Sequence, residues 1–235
     1  MPLRAVFFDA GNTLLYPRVD ELAEELTAGG YPATVDDLHA VERASKKKFD
    51  SWLWPQLGSN ALPQADRMYW TEYLHELLRR LQVPLDRHGK MTAEIVERFR
   101  DIRFWSLVFP DTEPALQALE SAGYILGVIS NSVGTIAEQL GRAGLARYFR
   151  FILDSAVVGV EKPDPAIFQM ALDKAGVAPE EAIFIGDTYA TDVGGARQAG
   201  IRGLLIDRFG SYDDDAVDCR RLRTLGELTE AVREF

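Results

Sequence analysis

Asp9 closes the apolar run Ala5-Val6-Phe7-Phe8, and the turn-like Ala10-Gly11-Asn12-Thr13 follows it. Three further apolar runs lead to polar groups of the same kind. The run 124–129 stops at Ser130-Asn131, the run 149–153 precedes Glu161-Lys162-Pro163-Asp164-Pro165, and the run 182–186 stops at Asp187, with Asp192 five residues on. A carboxylate such as Asp9 can attack an electrophilic centre and split one hard step into two. Asp187 and Asp192 offer the hard oxygen ligands that Mg²⁺ takes. The Lys162 ammonium can offset charge on a transferring group. The Ser130 hydroxyl can donate to an oxygen of that group, with Asn131 helping to orient it. Gly11 lets the backbone approach an anion closely, with Asn12 beside it, and Thr13 can hold the turn by side-chain hydrogen bonds. Singly these features are ordinary. A strand-end Asp or Ser can cap a turn or helix, Asp192 can cap the helix after it, and a Lys before Pro commonly lies on the surface.

Bringing these groups together requires strands whose carboxyl ends meet. Short apolar runs rich in Val, Ile and Phe suit fully buried strands, predicted at 4–9, 124–130, 149–154, 182–187 and 203–207. Helical patterns at 112–121, 134–143, 165–175 and 192–199 alternate with them, and Gly123, Gly144, Gly176 and Gly200 suit left-handed helix ends. A last helix is predicted at 225–234, after the acidic turn Asp213-Asp214-Asp215. Alternating helix and strand predicts an α/β fold with a parallel sheet, and such sheets bind ligands beyond the carboxyl ends of their strands.

Between the first strand and the rest the pattern is helical throughout. Val19, Leu22, Ala23 and Leu26 recur at helical spacing up to Gly29-Gly30. Thr34 can cap a second helix, with Asp36 and Asp37 favoured in its first turn and Leu38, Val41, Phe49 and Trp52 as apolar positions. Third and fourth helices are predicted at 65–82 and 92–104. Lys46, Lys47 and Lys48 point in different directions on a helix and read as a solvated face. His39, His75 and His88 have no metal-ligand spacing.

The chain has 235 residues, 47% of them hydrophobic, enough for a large core or a core with a smaller domain. A net charge of −10 speaks against broad binding to nucleic acid or anionic membrane but allows a local basic pocket. One cysteine, Cys219, rules out an intrachain disulfide and fits a reducing, cytoplasmic setting. No signal-like start and no bilayer-length apolar run is present, so no membrane association is expected.

Asp, Ser, Lys and Asp–Asp, in that order, resemble the motifs of the haloacid dehalogenase-like (HAD) hydrolase superfamily, over nearly the whole chain. The resemblance implies a Rossmann-like core with strand order 5-4-1-2-3, formed by residues 1–16 and 107–235. Residues 17–106 become its helical cap domain. It implies a Mg²⁺-dependent phosphatase for a small phosphorylated metabolite, working as a monomer or homodimer through an aspartyl-phosphate on Asp9 with Lys162. The implied metal ligands are Asp9, the Gly11 carbonyl and Asp187, with Asp192 as a further ligand or a partner to one. The cap would choose the substrate. Tyr16, Trp52, Trp54, Tyr69 and Trp70 are candidate pocket residues, and Arg18, beside Tyr16-Pro17 at the core-to-cap hinge, is the candidate anion contact.

One position departs from the family pattern. Most phosphatases of the family carry a second Asp two residues after the first, which protonates the leaving oxygen and then activates water; that position is Gly11. Acid–base help of this kind is worth roughly 10²- to 10⁴-fold. Glycine cannot supply it, and Asn12 has no titratable proton. Three consequences are open: a good leaving group, an acid from the cap (Asp20, Glu21 or Glu24), or a catalytically weak or inactive phosphate-binding protein. Two other branches of the family also lack this Asp. The 2-haloacid dehalogenases use no Mg²⁺, against which the acidic last motif argues. The phosphonoacetaldehyde hydrolases use a cap lysine as a Schiff base, to which Lys46, Lys47 and Lys48 would correspond.

Overall fold

The computed structural model describes residues 2–58, 65–214 and 217–234; Asp215 of the predicted acidic turn lies outside them. The chain opens with β1 (Ala5–Phe8) and a short β2 (Tyr16–Pro17). Four helices follow: α1 (Val19–Ala28), α2 (Val35–Leu53), α3 (Ala65–Arg80) and α4 (His88–Arg100). The chain returns through β3 (Trp105–Leu107) and then alternates. The order is α5 (Thr112–Ser121), β4 (Ile125–Ser130), α6 (Ile136–Arg142), β5 (Phe151–Asp154), α7 (Ser155–Val158), α8 (Pro165–Ala175), β6 (Ala182–Gly186), α9 (Gly195–Gln198), β7 (Arg202–Ile206), β8 (Arg221–Leu222) and α10 (Leu228–Ala231).

The sheet runs β5-β4-β1-β6-β7-β8, parallel at every pairing. The five predicted strands keep the expected order. The addition is β8, two residues long, which no apolar run marks. β1 is buried throughout because strands flank it and helices cover both faces. Its side chains alternate between layers: Val6 and Phe8 pack with Leu116, Leu140 and Ile185, whereas Ala5 and Phe7 pack with Phe168, Leu172 and Phe184. This two-residue period fixes register, since a one-residue slip would exchange the layers.

The helical insert has its own core, including Leu22, Leu38, Val41, Leu77, Ile95 and Phe104. Its second helix begins at a capping box: Asp37 N–H donates to Thr34 Oγ1 at 3.1 Å, and Thr34 N–H donates to Asp37 Oδ2 at 3.1 Å. Both junctions of the insert meet where β2 pairs antiparallel with β3. The fourth helix ends at Arg100 rather than 104, because residues 101–104 turn the chain into β3. The last predicted helix is broken into a single α turn between two 3₁₀ turns. A π-helical turn, Tyr189–Gly194, leads into α9 and carries Asp192 within it, so Asp192 does not cap a following α-helix.

Candidate active site

Three strands deliver their end residues to one point. Asp9, the first residue past β1, keeps its N–H on Ile185 O at 2.8 Å, so the sheet fixes its backbone. The Lys162 ammonium sits 2.6 Å from Asp9 Oδ1 and 2.7 Å from Asp192 Oδ1. Lys162 is only 2% exposed, so this charge is held entirely by its neighbours. Its backbone is clamped by Asn131. Lys162 N–H donates to Asn131 Oδ1 at 2.8 Å, and Asn131 Nδ2 donates to Lys162 O at 2.9 Å. The Lys162–Pro163 peptide is cis. Asp192 Oδ2 accepts from Thr188 N–H at 2.9 Å. Its carboxylate lies over Gly186, where an added Cβ would fall 2.3 Å from Asp192 Cγ. Only glycine at 186 lets the carboxylate come this close.

Asp9, Asp187 and Asp192 are all buried, and each presents an oxygen within 4.8 Å of the others. Burial pushes the Asp9 carboxyl up to about 7; Lys162 opposes the rise, while Asp192 and Asp187 add to it. Burial likewise raises Asp187, against the pull of Lys46. Lys162 shows the opposite balance: burial would lower it, but Asp192 and Asp9 hold it well above its ordinary value.

A second buried cation arrives from the insert. Lys46 Nζ lies 2.6 Å from Asp187 Oδ2 and 2.9 Å from Glu42 Oε1. Burial would depress this ammonium, but Asp187 and Glu42 hold it well above its usual range. Burial alone would raise Glu42, yet Lys46 and His39 bring it down to about 2. Four residues on, Asp50 accepts from Ala190 N–H at 3.0 Å and from the Tyr212 hydroxyl at 2.7 Å. Glu42, Lys46 and Asp50 thus form an i, i+4, i+8 stripe on the α2 face that meets the core. Trp54 stacks on Tyr189 (4.4 Å, 7°) and His39 on Phe209 (4.0 Å, 26°) along the same seam.

The donor set fits a divalent cation. Asp9, Asp187, Asp192 and Glu42 together face two ammonium groups, so the carboxylates outnumber the cations beside them. Asp9 and Asp187 are raised chiefly by burial, and the carboxylates beside them add to the rise. Clustered oxygen donors of this kind suit Mg²⁺.

A cavity of about 580 Å³ opens above these groups between core and insert. Asp9, Gly11, Asn12, Ser130, Asn131, Lys162, Asp187 and Asp192 all line it, so the structure brings together eight of the predicted site residues. Asn12 takes a left-handed backbone (φ 54°), and its N–H is committed to Leu15 O at 2.8 Å. The amide of Asn131 is spent on Lys162, which makes it a brace rather than a ligand contact. Thr13 is fully buried with its hydroxyl 3.4 Å from Asp9 Oδ2, so it supports the carboxylate from below and does not face the cavity.

Arg18 is a correction. Its guanidinium turns to its own helix start, with Nη2 3.0 Å from Asp20 Oδ2 and 3.3 Å from Glu21 Oε1, and it does not line the cavity. Neither do Asp20, Glu21 or Glu24; Glu21 pairs with Arg98. Of the predicted aromatics, Tyr69 and Trp70 line the cavity, whereas Tyr16 packs on Phe109 and Phe209 in the interior. Trp52 and Trp54 lie at the surface and the seam. The sequence reading placed Lys46 on a solvated face, whereas it is buried against Asp187, and it gave no site role to Phe99 or Trp105. The i, i+4 charge stripe could have singled out Lys46; no local signal marks Trp105.

A model of the haloacid dehalogenase-like hydrolases matches residues 3–200. The chain belongs to this family of hydrolases. It is 32% identical to a glyceraldehyde 3-phosphate phosphatase of Methanopyrus kandleri, over 99% of this chain and 98% of that one. Among solved structures it resembles a dehalogenase in an intermediate complex, with a TM-score of 0.64 and 25% identity over 97% of this chain and 96% of the other. It also resembles a HAD phosphatase from Thermococcus onnurineus, with a TM-score of 0.58 and 25% identity over 98% of each chain. Among the described residues no helix is long and apolar enough to cross a membrane.

Proposed function

We propose that this hydrolase is a Mg²⁺-dependent phosphatase of a small phosphorylated metabolite. Residues 1–16 and 107–235 form its catalytic core, and residues 17–106 form a cap that closes the cavity. The observation that carries the reading is the Asp9–Lys162–Asp192 constellation at the sheet edge, beneath a cavity of metabolite size. In this reading an Asp9 oxygen attacks phosphorus, forming an aspartyl-phosphate while the bond to the leaving oxygen breaks. Lys162, held by Asn131, sets the direction of the Asp9 carboxylate and offsets negative charge beside it. Ser130, at the end of β4, donates to a phosphoryl oxygen. Asp9, Asp187 and Asp192, with the Gly11 carbonyl, would hold Mg²⁺, which supplies positive charge against the phosphoryl oxygens. Water then cleaves the acyl phosphate and restores Asp9.

The relationship to a glyceraldehyde 3-phosphate phosphatase over nearly the whole of both chains supports this reading. The dehalogenase alternative gains nothing from a triad of buried carboxylates. A Schiff-base lysine requires a neutral amine, and Lys46 is held charged between Asp187 and Glu42.

Hydrolysis of p-nitrophenyl phosphate tests the proposal. Turnover is expected with Mg²⁺, is lost in EDTA, and falls by about 10⁴-fold or more in Asp9→Asn, the scale seen when a nucleophile is removed. Turnover that survives either EDTA or the substitution sinks it.

A further inference from the structure

The position of the missing second Asp is crowded by a side chain from the insert junction. A Cβ added at Gly11 would lie 3.2 Å from Trp105 Cζ3 and 3.6 Å from Cη2, so the six-membered ring of the indole crowds the space a side chain would enter. Trp105 is held there: its Nε1–H donates to Phe99 O at 2.9 Å, and Phe99 and Trp70 pack edge-on against it. Leu15, Leu74, Ile95 and Val96 add further apolar lining to the cavity.

The chemistry of the lining points the same way. Among the described residues that line the cavity, every carboxyl belongs to the Asp9–Asp187–Asp192 cluster, and no histidine or cysteine is present. Tyr69 is held far above its ordinary pKa by burial, which makes its hydroxyl a poor acid. Lys162 is tied to Asp9 and Asp192, and the Arg67 and Arg100 guanidiniums that also line the cavity do not give up a proton, so a leaving oxygen against Trp105 meets an aromatic ring and no titratable acid.

We infer that the leaving group is an aryl oxide, so that the substrate class is a small aryl phosphate whose ring lies on Trp105. The inference rests on the phosphatase reading and deepens it. As the Asp9 oxygen–phosphorus bond forms, the phosphorus–oxygen bond to the ring breaks. The aryl oxide leaves with the electron pair and takes its proton from solvent afterwards. A phenol has a pKa of about 10, so its anion departs without the acid assistance an alkoxide needs. Water then adds to phosphorus, the Asp9 carboxylate is released, and one water proton passes to a phosphoryl oxygen. The indole recognises the same ring that makes the leaving group good.

Calorimetric titration of the full chain with phenylphosphonate and methylphosphonate, both in Mg²⁺, separates the outcomes. Phenylphosphonate is expected to bind at least ten-fold more tightly, with the ratio falling below three-fold in Trp105→Leu. Equal affinities in the unaltered protein overturn the inference, as does a preference unmoved by Trp105→Leu. Turnover gives an arm that needs no variant: kcat/KM for phenyl phosphate should exceed that for ethyl phosphate by 10²-fold or more. Equal hydrolysis of the two esters overturns the aryl assignment alone. If neither phosphonate binds and neither ester is hydrolysed, the phosphatase reading falls and takes this one with it.

Discussion

The site contains two buried lysines that look alike and are built differently. Lys162 bridges Asp9 and Asp192, and all three belong to the α/β core. Lys46 bridges Asp187 and Glu42, and it reaches Asp187 across the seam between insert and core. Both ammonium groups are at most 4% exposed, and both are held above their ordinary values by the carboxylates beside them. The difference lies in what happens when the pair is broken. Asp9 and Asp192 line the cavity but are tied to the core backbone, so they keep facing each other whatever the insert does. In the cap reading proposed above, Asp187 and Glu42 would separate and be rehydrated when the insert opens. In that reading one lysine would act as part of the fold, and the other as a latch between insert and core.

Removing each ammonium exposes this difference, and the core lysine gives the larger effect. Lys162→Met leaves Asp9 and Asp192 without their partner, a loss of about 3–5 kcal/mol for breaking a buried pair. Loss of the charge beside the nucleophile should also lower kcat on p-nitrophenyl phosphate by roughly 10²- to 10³-fold. Lys46→Met should cost less than half as much in urea unfolding, about 1–2 kcal/mol by the same reasoning with one partner rehydrated. It should also speed hydrogen exchange at Ala190 N–H, which bonds Asp50 across the seam. Equal losses in the two variants, with unchanged exchange at Ala190, would show that the insert does not open and would break the comparison.

Asp50 sharpens it from the other side of the latch. This carboxyl is raised from 3.8 to about 6 by burial, against the Tyr212 hydroxyl and the Ala190 N–H. Its folded form holds the proton more tightly than the unfolded chain does. The contribution is therefore fully present below about pH 3.8 and is lost as pH rises through about 6. Asp50→Asn keeps an acceptor for Ala190 and cannot ionise. Its stability should gain on that of the unaltered protein by about 2 kcal/mol between pH 4 and pH 7. Urea midpoints at the two pH values measure this. Parallel curves would mean that the seam already opens enough to hydrate Asp50.

Sequence reached the core lysine and missed the seam for a physical reason. β1, β4 and β6 are continuous apolar runs because helices cover both faces of a parallel sheet, and each run ends where the site begins. Asp9, Ser130 and Asp187 were therefore legible one at a time, and Lys162 as a member of the set. Lys46 sits in a run of three lysines, and only the docking of α2 on the core selects the one that is buried. Arg18 went astray because Asp20 and Glu21, two and three residues away, outcompete any distant anion. Trp105 lies on a three-residue strand with no periodicity of its own, and its place over Gly11 follows from the β2–β3 junction.

That junction makes a third contact between insert and core, apolar where the others are ionic, and it gives the smallest expected effect. Gly11 does not use a left-handed backbone, so any cost of a side chain there comes from the ring above it. With its Cβ 3.2 Å from Trp105, Gly11→Asp must push the indole aside, an overpacking cost of about 1 kcal/mol. Restoring the carboxylate alone should leave hydrolysis of ethyl phosphate within about three-fold of its starting rate, because the ring denies the new acid the position over the leaving oxygen. Gly11→Asp combined with Trp105→Leu vacates that position, and the rate on ethyl phosphate should then rise by roughly 10²-fold, the low end of what a general acid contributes. A rise in the single variant would show that Trp105 yields easily and that the hinge contact is slack. No rise in the double variant would show that the second Asp needs more of its surroundings than open space.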